Sequence, residues 1–479
     1  MTEPLWTSQE IAFATGGESR APWFADGLAT DSRDIIPGDL FLARAGEQAD
    51  GHDHVAQALA NGATGALVDR PPKGVDAHDP RLLLVGNTDK ALTALARTAR
   101  ARSTARIVAI TGSAGKTSVK EALRQALARA GSVHASIRSF NNHVGLPLSL
   151  ARMPRRHDFG VFEIGTGGPG EIAPLAQIAH PDIAILTTVG AAHIGKFPDT
   201  RALAAEKTKI FSGLRSGGTA IVGLDHPHAG RCLDVARRRA ARVLTVSLTR
   251  KDADVHPLAL QAGPGGVHRM TVSTSRGRLD LSLDAPGRHW AYASLLVLAA
   301  LEALDVDMAN AALALAEMQP LPGRGRQVLL NLGGSAPIRL IDESYNANPL
   351  SMAAAFDTMA ALSPDTVRRL AVLADMAELG DEAETRAGHL ALVPKLRAAK
   401  LSMVFCLGPH SRALAEAANI PAIVCSDIGD AECKLVDILK PGDAIMVKGA
   451  NRAGLAGLVA ALRRKFPLAM APSQFRATG

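Results

Sequence analysis

The sequence predicts an α/β chain of three domains, and three observations carry that expectation. Its 479 residues are more than one core can organise, at about 150 residues per domain. Two long stretches alternate buried-looking strands with amphipathic helices, the pattern of parallel sheets covered on both faces. A proline- and glycine-rich segment, "MQPLPGRGRQ" at 318–327, separates them and reads as a linker. The expected divisions are 1–103, 104–318 and 319–479.

The first division reads as a small α/β unit. It has candidate strands at "DLFLAR" and "GALVDR", a helix over "HDHVAQALANG" and a loop at "DRPPKG". In the second, "RIVAI", "FGVFEI", "DIAILTTV" and "GTAIVGL" read as buried strands alternating with helices, which makes it the nucleotide-domain candidate. The third alternates "IRLIDES", "RLAVLA", "SMVFCLG", "PAIVCS" and "DAIMVKG" with helices, a second open, Rossmann-like α/β sheet reaching residue 466. The tail "PLAMAPSQFRATG" carries no pattern and is expected to fray.

Composition limits the function classes. Hydrophobic residues at 47% and charged residues at 21% are an ordinary globular balance. The formal charge of +7, from 53 Lys and Arg against 46 Asp and Glu, favours anionic partners. Nucleic acid is not expected: there are only 3 Trp, 2 Tyr and 12 Phe and no aromatic-interleaved basic surface, and such binders use both. The run "ARRRAARV" at 236–243 reads as a solvated helix face. A phosphorylated small substrate accounts for the charge equally well. Cys232, Cys406, Cys425 and Cys433 show no metal or redox spacing and read as core thiols in a reducing compartment. "MTEPLWTSQE" lacks the pattern of a signal peptide. The longest apolar run, Ala291 to Leu301, is shorter than the ~20 residues of a membrane span. A cytoplasmic location without membrane insertion is expected.

The segment with chemistry is "ITGSAGKTSVKE" at 110–121. "ARIVAI" before it is a strand, and after it Val119, Ala122, Leu123, Ala126 and Leu127 recur at helical spacing until Gly131. In a strand–turn–helix of this kind the backbone N–H groups of residues 113–118 can surround phosphate oxygens, the helix N-terminus adds partial positive charge, and Lys116 adds a full one. Thr117 can ligate magnesium. The usual G-x-x-x-x-G-K-[ST] spacing would put glycine at 110, where the chain has Ile110; the alternative is a glycine-rich turn with a chance G-K-T. Glu163 ends the strand "FGVFEI", and is either a magnesium ligand at the same sheet edge or an exposed strand-end acid. His193 is either a second cation ligand or a surface residue. Lys207, taken by itself, is an ordinary helix-surface lysine.

"TGSAGKTSVKEAL", "NNHVGLPLSLARM", "FEIGTGGPGEI", "VGAAHIGKF", "EKTKIFSGL", "IDESYNANPLSM", "VLADMAELG" and "VKGAN", in this order, resemble the ATP-dependent Mur ligases of peptidoglycan synthesis. "SYNANP" and "LADMAELG" are most similar to the branch that adds D-Ala-D-Ala to UDP-N-acetylmuramoyl-tripeptide. The resemblance implies a shortened G-x-x-G-K-[ST] loop, which resolves the oddity of Ile110. It also implies ATP contacts from Gly112, Ser113, Ala114, Gly115, Lys116, Thr117, Ser118, Asn142 and Asn346. Two magnesium ions are implied, one on Thr117 and Glu163, the other on His193 and a carbamylated Lys207. Lys116, Glu163, His193, Lys207 and Arg324 form the implied catalytic set, with Asn346 and Asn348 toward the dipeptide or domain closure. The N-terminal domain would hold UDP through Thr30, Asp31, Ser32 and Arg33; alternatively Asp31 and Arg33 form only a turn salt bridge. His52 and His54 have no implied role and read as structural. A monomer is implied.

The chain departs from the family pattern at Glu343, where aspartate is common, at Trp290 and Ala293, where asparagines are common, and at Ala450 and Asn451 in "VKGAN", where serine and arginine are usual. Arg452 is placed to stand in for that arginine. Three rivals follow: a tripeptide-forming Mur ligase, a nucleotide-binding regulator on a degenerate ligase scaffold, and, from the basic charge, a nucleic-acid binder.

Overall fold

The computed structural model describes residues 3–469 apart from 47–48, 138, 263–267, 286, 334–335 and 363–366. Positions 470–479 of the tail thus lie outside the described residues.

Near the N-terminus, Gly27–Ala29, Asp39–Leu42, Gly65–Val68 and Leu82–Leu84 form a parallel sheet edged by the antiparallel Glu18–Ser19. The helix Thr88–Arg102 joins this unit to the next. Its Leu92, Leu95 and Ala99 pack with Leu148 and Ala151, and its Ala96 lies in the core of the following sheet.

That following sheet has six strands, all parallel, in the order Arg242–Val246, Thr219–Gly223, Ile183–Leu186, Arg106–Thr111, Phe159–Glu163, Val133–Ala135. Strands from Arg106 to Val246 are apolar on both sides because both faces are covered. Lys116–Leu127 and Arg288–Ala303 lie over one face, Ile172–Ala179 over the other. The apolar run from Ala291 to Leu301 is thus a buried core helix. The simple alternation expected to residue 318 is interrupted by a three-stranded antiparallel sheet, His256–Ala262, His268–Thr274 and Gly277–Leu283. Met270, Val272, Leu281 and Leu283 are buried with His268, alternating with more exposed residues as a one-face-buried strand requires.

The C-terminal sheet runs Arg326–Leu330, Ile338–Glu343, Ala444–Lys448, Arg369–Ala374, Met403–Leu407, Ala422–Val424. All neighbours are parallel except the first pair. The end of the segment read as a linker is therefore an edge strand. The tail, expected to fray, is tied down at its start: Ala469 N–H donates to Leu329 C=O at 2.9 Å, and Asn331 N–H to Pro467 C=O at 2.8 Å. Cys232, Cys406 and Cys425 are buried free thiols, but Cys433 is exposed, which corrects its reading as a core thiol. Arg237, Arg238 and Arg239 are exposed, as a solvated face should be. Among the described residues no helix is long and apolar enough to cross a membrane.

Candidate active site

The strand Arg106–Thr111 ends in a turn that leads directly into the helix Lys116–Leu127. Two glycines make the turn possible. Gly112 has φ 155° and passes so close to Thr187 that a Cβ would sit 1.9 Å from its Oγ1. Gly115, the N-cap, is left-handed at φ 81° with nothing within 4 Å of a built Cβ, so the helix N-terminus opens onto free space. The far side of the loop is pinned: Ser113 Oγ donates to Gly190 C=O at 2.9 Å and Thr187 Oγ1 to Ala114 C=O at 2.6 Å. Lys116 folds back, its Nζ donating to Gly112 C=O at 2.8 Å. Burial holds its ammonium below the ordinary lysine range; Glu163 counters this and Arg324 adds to it.

Glu163 comes from the adjacent parallel strand, opposite Ile110, and is 2% exposed, so it is not a free strand-end acid. Thr117 Oγ1 donates to its Oε2 at 2.7 Å, and Asn141 Nδ2 donates to its Oε1 at 2.7 Å. Asn141 is a residue that the sequence reading missed. Asn142, expected at ATP, accepts through Oδ1 from Val144 and Gly145 N–H at 3.2 and 2.8 Å, just before the next helix. The doublet "NN" contained both roles, and spacing alone does not say which asparagine faces inward.

Lys207 is the clearest correction to a reading from residues alone. It is 1% exposed, because the helix Thr200–Thr208 turns it inward with Leu203 and Ala204. Burial, then repulsion from Lys116, bring its amine down to about 7, with Glu206 opposing. Glu206 is engaged elsewhere, accepting from Gly170 N–H, Ile172 N–H and Lys209 Nζ.

The C-terminal domain meets this rim at three places. Asn348, the N-cap of Pro349–Ala360, donates through Nδ2 to Ser113 C=O at 3.2 Å. Arg324 donates to Ser139 Oγ at 3.1 Å while lying 3.9 Å over the Tyr345 ring. His193, at φ 59°, meets the carboxylate of Glu378 through Nδ1, which leaves Nε2 free of that contact. Asn346 lies a step behind: its C=O accepts from Lys448 Nζ at 3.1 Å and its Oδ1 from Asn451 N–H at 3.3 Å. Ala114 and Ser118 are half-buried in the loop and first helical turn.

The departures from the family pattern have structural consequences. Asp342 accepts from Gly323 N–H at 2.7 Å and Ser344 Oγ at 2.6 Å, fixing the Arg324 segment. Glu343 faces the buried Lys448 at 3.4 Å. Asn451 donates to Tyr345 C=O at 2.9 Å, and Ala450 is buried. Trp290 and Ala293 are buried in the core, and the Trp290 indole N–H has no partner among the described residues.

In the N-terminal domain, Arg33 pairs with Asp31 at 2.6 Å, the turn salt bridge that was the alternative reading. Ser32 is buried and donates to Gln57 Oε1 at 3.0 Å, and Thr30 is half-buried. His52 is structural, held by Asp50 at 2.8 Å and Asp69 at 3.1 Å.

A parallel-sheet phosphate loop, an acid on the adjacent strand and a second α/β domain reaching over both define a class of ATP-using ligase. The chain belongs to the Mur ligase family. Residues 25–100 match the "Mur ligase family, catalytic domain", 110–301 the "Mur ligase middle domain" and 327–451 the "Mur ligase, glutamate ligase domain". It is 33% identical over 446 residues to the UDP-N-acetylmuramoyl-tripeptide--D-alanyl-D-alanine ligase of Escherichia coli K12, covering 91% of this chain and 94% of that protein. It is 34% identical over 480 residues to the ligase of that name from Mycobacterium tuberculosis H37Rv, covering 90% and 91%. A crystal structure of MurF from Acinetobacter baumannii superposes with TM-score 0.84 at 27% identity, covering 96% of this chain and 99% of that one. MurF of Thermotoga maritima in complex with ADP shares the fold, with TM-score 0.76 at 23% identity over 92% and 97%.

Proposed function

We propose that this chain is the ATP-dependent ligase that joins D-Ala-D-Ala to UDP-N-acetylmuramoyl-tripeptide. The observation that carries the reading is the Thr117–Glu163–Asn141 chain of hydrogen bonds beside Lys116, in a protein a third identical, over nine-tenths of its length, to ligases of that name. The ATP γ-phosphoryl group passes to the terminal carboxylate of the tripeptide, forming a C–O–P linkage and releasing ADP. The dipeptide amine then attacks the acyl carbon, and the C–O bond breaks as phosphate departs.

Both steps bring anions together, so the residues around the loop must supply positive charge and fixed dipoles. The N–H groups of 113–118 and Lys116 cradle the phosphates. Arg324 offers a second cation to the substrate carboxylate. The oxygens of Thr117 and Glu163, 2.7 Å apart, fit magnesium, a hard cation that takes oxygen ligands, and would hold one ion; a second, on His193 with a carbamylated Lys207, is what the family resemblance implies. When bound, the ions neutralise phosphate charge. Lys207 fits carbamylation because its buried amine is brought to about 7, so a neutral nucleophile is present for carbon dioxide. Asn348 and Arg324 help to hold the C-terminal domain over the site, which keeps water from the acyl phosphate. Residues 1–103 take the UDP end, with Thr30, Ser32, Asp31 and Arg33 as the best-matched positions, 104–318 bind ATP, and 319–479 close over both. The reaction runs in the cytoplasm on a monomer without nucleic acid.

The test is phosphate release with ATP, magnesium, UDP-muramoyl-tripeptide and D-Ala-D-Ala, omitting each in turn. Release that requires both the tripeptide and the dipeptide is expected. Release indifferent to either, or supported by a diamino acid on the dipeptide precursor, overturns the assignment.

A further inference from the structure

The segment "VLADMAELG" at 372–380 serves above only as a mark of resemblance, yet it makes a close approach between the two large domains. Glu378 lies there with φ 62°, and its carboxylate meets Nδ1 of His193, itself at φ 59°. Both partners of one contact are thus non-glycine residues in the left-handed region, where such residues are uncommon and persist only if their surroundings hold them. A second bond doubles the contact: Gly195 N–H donates to Glu378 C=O at 3.2 Å. The surfaces are so close that a Cβ on Gly195 would sit 2.5 Å from Gly380 N. The loop that carries His193 begins just after Gly190, which accepts from Ser113 of the phosphate loop at 2.9 Å. Asn348 reaches that same Ser113 from the C-terminal domain at 3.2 Å.

We infer that Glu378 is a positioning residue for the ligation, the latch that docks the C-terminal domain on the His193 loop so that Asn348 and Arg324 reach the loaded ATP site. The inference rests on the ligase reading above. The latch acts after nucleotide binding, on the lifetime of the closed state. Loss of the latch therefore leaves the phosphate cradle intact but lets water and the dipeptide compete for the acyl phosphate.

The experiment compares the wild-type chain with Glu378→Ala, Glu378→Gln and Gly195→Ala, the last wedging the contact open from the other side without touching the carboxylate. Phosphate released and peptide formed are counted together, and KM is measured separately for ATP and for D-Ala-D-Ala. Small-angle scattering with an ATP analogue and tripeptide reads domain closure. Glu378→Ala is expected to raise the D-Ala-D-Ala KM by about tenfold, the effect of one lost hydrogen bond to a charged group, and Gly195→Ala to raise it in the same direction by forcing the surfaces apart. Phosphate should then exceed peptide, the scattering envelope should widen, and the ATP KM should hold. Glu378→Gln, which keeps the shape and an acceptor oxygen, should fall between. Should Glu378→Ala fail to fold, Gly195→Ala and Glu378→Gln decide. Coupled turnover with unchanged closure in the folded variants overturns the inference, as does an equal rise in both KM values. Wild-type phosphate release that ignores tripeptide and dipeptide instead overturns the ligase reading on which it rests.

Discussion

Replacing Lys207 by methionine removes a charge-bearing group from a site that is 1% exposed while keeping the length and apolar bulk of the side chain. Bringing an amine from 10.5 to about 7 burdens the folded chain by up to ~5 kcal/mol, at ~1.4 kcal/mol for each tenfold change in proton affinity. The sign follows from proton counting. Between about 7 and 10.5 the unfolded chain holds the proton and the folded chain does not, so stability rises with pH through that window and the burden is fully present below it. Lys207→Met should therefore raise the melting temperature at pH 7 in carbon dioxide-free buffer, with the gain shrinking toward pH 10. The same substitution should abolish most ligation. That combination, stability gained where function is lost, marks a group kept for its chemistry. Wild-type activity should fall as pH drops below 7, where the protonated amine cannot form a carbamate. Labelled bicarbonate should give a carbamate carbon signal in wild type that is missing in the variant. A variant that melts lower and still ligates would refute both the burial argument and the carbamate.

Other substitutions test the remaining parts of the site. Asn141→Ala should weaken magnesium-dependent nucleotide binding by about tenfold, because one oxygen of the buried Glu163 loses its donor, whereas Asn142→Ala should mainly lower stability; isothermal titration separates them. Gly112→Ala puts a Cβ 1.9 Å from Thr187 Oγ1 and should abolish ATP binding. Gly115→Ala meets open space and should cost only about 1 kcal/mol of backbone strain, read by melting temperature and ATP affinity. Arg324→Lys loses the planar contact with Tyr345 and the fork of donors, and kcat should fall more than ATP affinity.

The phosphate loop was readable because its signals are local. An apolar strand, two glycines and a helical period lie within about twenty consecutive residues. Glu163 was also readable, since a parallel strand of known direction ends at the same edge as its neighbour. The antiparallel sheet at 256–283 was not distinguished, because short alternating strands carry a weaker signal than a continuous buried run. Lys207 was misjudged from spacing, since a lysine in a short helix faces water unless another element covers it. Asn141 and Asn142 are neighbours in sequence, and only the path of the loop into Gly145–Ala151 shows that Asn141 is the one that reaches Glu163.

What the amino-acid order alone determined was the α/β alternation outside residues 256–283 and the chemistry of the loop, because hydrophobic period, turn residues and charge act over a few residues at a time. The fold decided which groups are dry and which are joined. The lowered amine of Lys207, the Asn141 hold on Glu163 and the pairing of Glu378 with His193 across two domains all arise from segments far apart in the chain. Burial and electrostatic partnership depend on distance in space, which the packing of helices on the central sheet sets for Lys207 and Glu163 and the contact between two domains sets for His193.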